Sequence, residues 1–205
     1  MGGDAGLGEA IAAAGGDDTA VARAREYALL ALLLARPPDA ALLRKLARIE
    51  SDETPLGLAH KALAEAAAAT DSVAVAREYF ELFIGVGRGE LLPYGSYYLT
   101  GFLHERPLAR LRADLADLCI ERVEGECESE DHAAILCEIM SGLARGEFVA
   151  PVERQRYFLH RHLTPWMARF FTDLEAARAA DFYRPVGAIG RLFIEIETEA
   201  FALPR

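Results

Sequence analysis

The chain has 205 residues, 52% of them hydrophobic and 26% charged, with a net charge of −10. A globular chain of this length buries about 70% of the surface it exposes when unfolded, so one domain suffices without a disulfide or metal staple. The acidic balance, with Lys45 and Lys61 the only lysines, argues against a nucleic-acid binder, which needs a basic face to displace counterions from phosphates.

Residues 1–18 are rich in Gly, Ala and Asp, and no basic residue precedes Arg23. This predicts a disordered N-terminal tail rather than a signal peptide, with a single domain over 19–205. Thr19 is placed to cap a first helix running through Tyr27 and the Leu29–Leu34 cluster to Arg36, where Pro37-Pro38 stops it. A second helix is expected over Asp39–Ile49, with Leu42, Leu43, Leu46 and Ile49 at helical spacing. Pro55 opens a third through Ala62–Ala69. Asp71 caps a fourth, in which Val75, Tyr79, Leu82 and Phe83 share a face. Phe80 and Ile84 lie on other faces, so this helix is apolar nearly all round and is expected to be central.

Gly85 to Gly95 breaks the periodicity, and Ser96 is placed to cap a short aromatic segment, Tyr97-Tyr98-Leu99. Leu108, Leu111, Leu115 and Leu118 mark the next helix. An acidic linker precedes a helix from Ser129 to Arg145, whose stripe is His132, Ile135, Leu136, Ile139, Met140 and Leu143. Pro151 opens another helix, Pro165 falls in the first turn of the next, and the last covers Phe182–Phe201. That last stripe reads Val186, Ile189, Phe193, Ile196 and Ala200, leaving Glu195, Glu197 and Glu199 as a solvated face. No segment alternates with period two. The fold class is therefore all-α, a single-domain bundle of about nine or ten helices.

Chemistry-bearing patterns are sparse. Cys119, Cys127 and Cys137 form an odd set without a CxxC, which points to a reducing, cytoplasmic setting. The longest apolar run, Ala28–Ala35, is far short of the roughly 20 residues that span a bilayer. His160 and His162, two apart, point to different sides of a helix, and Glu128 with His132 supplies too few ligands for a closed metal site. No metal and no cofactor is expected. The Gly85-x-Gly87-x-Gly89 loop follows a helix and lacks a GK[ST], so it reads as a structural loop rather than a phosphate cradle. The alternative is a small helical nucleotide hydrolase built on Gly85–Gly89. Glu121–Asp131 holds six acids against Arg122. Such a run ordinarily marks a solvated linker, but here its end meets a helix N-terminus, which favours anions, and the apolar stripe starting at His132. A groove of that character suits a basic, apolar peptide.

The segments Tyr79-Phe80-Glu81-Leu82-Phe83-Ile84-Gly85 and Pro93-Tyr94-Gly95-Ser96-Tyr97-Tyr98-Leu99 resemble the paired aromatic motifs of the TorD/DmsD/NarJ-type redox-enzyme maturation chaperones. Glu128-Ser129-Glu130-Asp131-His132 resembles that family's E-P-x-D-H signature, with Ser129 in place of proline. His162-Leu163-Thr164-Pro165-Trp166 and Phe182-Tyr183 resemble its later segments. The resemblance covers roughly residues 20–200 in order. It implies an all-helical cytoplasmic chaperone, not an enzyme. The implied partner is the precursor of a molybdopterin-containing oxidoreductase of the dimethyl-sulfoxide-reductase type, recognised through its twin-arginine signal peptide, held for cofactor insertion and delayed from export. Some members bind guanine nucleotides, so weak nucleotide binding would not separate this reading from a hydrolase; turnover would. The implied peptide-binding residues are Tyr79, Phe83, Pro93, Tyr94, Glu128, Asp131 and His132, with the aromatic and proline side chains forming an apolar slot. Phe83 suits core packing equally well. Asp131, with Glu128 nearby, is expected to meet the arginines, and Asp131→Ala to weaken peptide binding while sparing the fold.

Overall fold

The computed structural model of the chain describes residues 4–121, 128–148 and 150–203, with side chains from residue 18 onward. The described residues contain ten α-helices: α1 (Asp4–Ala35), α2 (Ala40–Leu46), α3 (Pro55–Ala69), α4 (Ser72–Tyr79), α5 (Gly95–Thr100), α6 (Arg106–Asp117), α7 (Ala133–Arg145), α8 (Val152–Phe158), α9 (Met167–Ala176) and α10 (Tyr183–Ala202). Among the described residues the β-type pairing is a single antiparallel bridge between Tyr94 and His132. The all-α bundle expected from the periodicity is what the chain forms.

Local chemistry sets the boundaries. The side chain of Asp39 accepts the Leu42 N–H at 2.7 Å, Thr54 Oγ1 accepts the Gly57 N–H at 3.0 Å, and Asp71 accepts those of Val73 and Ala74 at 2.8 and 2.9 Å. Each satisfies amides that the first helical turn leaves without an internal partner. The first helix differs from expectation, since its backbone begins at Asp4 and not at a Thr19 cap. The alanine-rich stretch before Gly15 carries the propensity for this. Of the acidic run, residues 122–127, including Glu124, Glu126 and Cys127, lie outside the described residues.

The helix at the centre is α7, not α4. Nine of the thirteen α7 residues are buried, and α1 packs along its length, while α10 packs on α9 and α3. On α4, Val75 is buried, but the helix ends in a π-helical turn, Phe80–Ile84, in which Phe80 and Ile84 stay exposed. A second π-helical turn, Leu159–Leu163, extends α8. Tyr79 and Tyr183 donate their hydroxyls to the carbonyls of Leu34 and Leu33, both at 3.0 Å, satisfying acceptors in the last turn of α1.

The α10 stripe also differs. Val186, Ile189 and Phe193 are buried as expected, but the buried face continues through Ile194 to Glu197; Ile196 and Ala200 are exposed. Glu195 and Glu199 do face solvent, whereas Glu197 points inward, where Arg23 of α1 makes it possible to bury a carboxylate. Further up α10, a Cβ on Gly187 would lie 2.5 Å from the Glu175 backbone nitrogen and 2.9 Å from the Phe171 carbonyl oxygen. Only hydrogen allows α9 and α10 to approach this closely. Gly187→Ala should therefore lower stability by about 1–3 kcal/mol, measured by urea unfolding; an unchanged midpoint would contradict this account of the contact.

Candidate peptide-binding site

The two family-like segments, about 35 residues apart, meet at the N-terminus of α7. Residues 93–95 and 131–133 lie side by side: Gly95 N–H donates to the Asp131 carbonyl at 2.9 Å, and Ala133 N–H donates to the Pro93 carbonyl at 2.8 Å. This pairing keeps residues 129–132 outside the helix, so α7 starts later than the Ser129 cap predicts. The N-cap is His132, whose Nδ1 accepts the Ala134 N–H at 3.1 Å. An accepting Nδ1 puts the proton on Nε2 of a neutral ring. The Tyr94 and His132 rings meet edge to face at 5.1 Å.

Asp131 is buried, and both of its carboxylate oxygens are occupied. Oδ2 accepts the buried Ser96 N–H and Oδ1 the Ser129 hydroxyl, each at 2.7 Å. It ties the aromatic segment to the α7 entrance. Ser129 and Ser96 have roles other than the helix caps expected of them, one a donor to this carboxylate and the other lying within the first turn of α5. Glu128, by contrast, is exposed and accepts the Tyr94 hydroxyl at 2.6 Å. Burial, and then the neighbouring Glu128, push the Tyr79 hydroxyl pKa up to about 12.

A groove of about 560 Å³ opens between α1 and α7, within the size range of small-ligand sites. Tyr79, Glu128 and His132 line it together with Leu32, Ile135 and Glu138. Of the seven expected residues, these three are in the groove. Asp131 lines a smaller pocket of about 130 Å³ beside Trp166. Pro93 is buried beneath the bridge. Phe83 packs on Tyr79 and Tyr183, with ring centroids 5.0 and 5.5 Å away, the core role that its position also allowed. The α1 wall and Glu138 escaped the sequence reading. Glu138 did carry a signal, as the single charge between Ala133 and Ala144 on an otherwise apolar helix.

The Gly85–Gly89 loop turns back on its own helix. A Cβ at Gly85 would collide with the Arg88 carbonyl, and one at Gly89 would lie 2.5 Å from the Phe83 carbonyl carbon. Arg88 is engaged by Tyr97, donating to its hydroxyl at 2.6 Å, and Glu90 accepts the Arg178 and Ala179 amides. Gly85 and Gly89 serve close packing, while Gly87 has open space around it and a φ of 88°. Among the described residues no group of three His, Cys, Asp or Glu side chains could hold a metal, and no helix is long and apolar enough to cross a membrane.

The family model described as nitrate reductase delta subunit matches residues 49–172, more than half of the chain. The chain belongs to this family. The matched span contains α3 to α8, including both halves of the bridge at His132, and the family is the NarJ/TorD type of maturation chaperone, not a family of catalysts. No curated protein matches the chain. A crystal structure of a protein from Archaeoglobus fulgidus, assigned to redox enzyme maturation, is similar in fold, with a TM-score of 0.56 at 20% identity over 84% of this chain and 93% of that one.

His132 is expected to contribute a share of the stability that acid removes. Burial pushes the imidazole pKa below the ordinary histidine value of 6.5, against the opposing pull of Glu128 and Asp131. Burial also depresses His162, despite its 2.7 Å contact with Asp114. The unfolded chain therefore takes these protons first. Stability is fully present above pH 6.5 and falls as the pH drops below it, by at most about 1.4 kcal/mol per pH unit for each group. In His132→Asn, which retains a capping oxygen, this acid loss should shrink when followed by melting curves between pH 7.5 and 5; an unchanged slope would show that His132 contributes nothing to it.

Proposed function

We propose that the chain is a cytoplasmic chaperone for the precursor of a molybdopterin-containing oxidoreductase. It binds the precursor's twin-arginine signal peptide in the α1–α7 groove, and so holds the client for cofactor insertion and delays its export. The observation that carries the reading is the groove itself, where an apolar wall (Leu32, Ile135) and the ring of Tyr79 stand beside the exposed carboxylates Glu128 and Glu138, with Arg36 and the Glu147-paired Arg145 also on its lining. Apolar surface accepts the hydrophobic part of a signal peptide, and carboxylates accept guanidinium groups through paired, charge-assisted hydrogen bonds. Family membership supports a client of the nitrate-reductase kind. The roles of the motif residues divide: Tyr79, Glu128 and His132 touch the peptide, while Pro93, Tyr94 and Asp131 hold the groove's edge in place. Weak binding of a guanine nucleotide is compatible with this function, because it requires no turnover.

The test is co-purification of the full chain with a tagged molybdoenzyme precursor, with and without its signal segment. Capture that depends on the signal segment supports the reading. Equal capture of both forms would move the contact to the mature part of the client.

A further inference from the structure

On the far side of α7 from α1, an apolar cleft of about 230 Å³ opens toward α6. Leu115, Ile135, Ile139 and Phe148 form its floor. Among the described residues every polar side chain on its rim is a glutamate, and no Lys, Arg or His lines it. Two of these acids are already balanced. Glu130 takes a two-point contact from Arg112 at 3.0 and 2.9 Å, and Arg145 lies 3.5 Å from Glu147. The others are not. Glu128 has the neutral Tyr94 hydroxyl as its partner, and no cation among the described residues pairs with Glu121 or Glu138. Ile135, Glu128 and Glu138 line both this cleft and the α1–α7 groove, so the two run into each other across α7.

We infer that the α6–α7 cleft is a second subsite for the client peptide: its floor takes one large apolar side chain, and Glu138 takes an arginine next to it. This rests on the client-peptide reading above. Charge complementarity selects the occupant. An apolar cavity whose free charges among the described residues are all carboxylates disfavours an acidic or neutral segment and favours one that brings a cation alongside the apolar side chain. Arginine suits this better than lysine, because its planar guanidinium matches a carboxylate with two hydrogen bonds and is more weakly hydrated. Asp131 is not available for the task, since both its oxygens are bonded internally. Glu138 is exposed on the shared wall and makes the specificity-determining contact instead.

The probe is a short fluorescent peptide with adjacent arginines followed by a phenylalanine–leucine run, compared with its arginine-to-glutamine counterpart by anisotropy. Glu138→Gln should melt like the wild type and bind the arginine peptide about fivefold more weakly, with a difference that shrinks as salt is added. It should bind the glutamine peptide no more weakly than the wild type does. Equal affinity of Glu138→Gln and wild type for the arginine peptide, or equal losses for both peptides, would overturn the Glu138 contact while leaving the client-peptide reading standing. A wild-type chain that binds neither peptide would remove both.

Discussion

Glu197→Ala is expected to destabilise the fold by about 3–5 kcal/mol, the cost of stranding the partner of a buried ion pair. The carboxylate is 1% exposed. It accepts Arg23 Nε at 2.7 Å and Nη2 at 2.8 Å, and the buried Tyr27 hydroxyl at 2.9 Å. Arg23 also reaches Gln155, which itself donates to the Leu143 carbonyl at 3.0 Å. One carboxylate thus joins α10 to α1, and through Arg23 and Gln155 to α8 and α7. Alanine leaves a guanidinium and a phenol facing a void. The melting temperature should fall by about 10 °C, with a smaller loss for Glu197→Gln, which keeps an acceptor and the side-chain shape. An alanine variant within 1 kcal/mol of wild type would mean, by the same measure of a buried pair, that water replaces the carboxylate at no cost.

Asp131→Ala is expected to cost about 2–3 kcal/mol, because it removes the acceptor from a fully buried amide, Ser96 N–H, and from the Ser129 hydroxyl. Asp131→Asn should cost less, since its amide offers Ser96 an acceptor and Ser129 a donor. Any loss of peptide affinity in Asp131→Ala should accompany the loss of stability, because the contact between residues 93–95 and 131–133 shapes the groove edge. A variant that keeps its melting temperature while losing arginine-dependent binding would restore Asp131 to direct recognition of the peptide.

The difference between these two acids shows what periodicity reads and what it does not. Proline pairs, Asp caps and three-four spacing mark most helices, because those signals are local. Glu197 stands at the spacing of Val186, Ile189 and Phe193, yet its burial depends on Arg23, 174 residues away, and no local pattern announces such a partner. The start of α7 fails for the same reason. Ser129 has the chemistry of a cap, but pairing with the distant Pro93–Gly95 segment holds residues 129–132 in a turn, closed by His132 N–H on the Ser129 carbonyl, and passes the role to His132. Phe80 and Ile84 lie off the Val75–Leu82 face and would be buried only in a central helix; α7 is the central one, and both face solvent. The meeting of Tyr94 with His132 was legible only through the family resemblance. The α1 wall of the groove was hidden in what reads as an ordinary apolar run.

On the proposed reading, this delta-subunit relative holds its client by a signal peptide in the α1–α7 groove. Calorimetric titration of a client's twin-arginine signal peptide into the full chain and into His132→Asn tests it most directly, because asparagine keeps the helix cap and removes the imidazole from the groove. Saturable one-to-one binding by the wild type and weaker binding by His132→Asn are expected at pH 7.5, with the variant still folded in a melting curve. Identical binding isotherms for the two proteins, or no heat of binding to either, would contradict it.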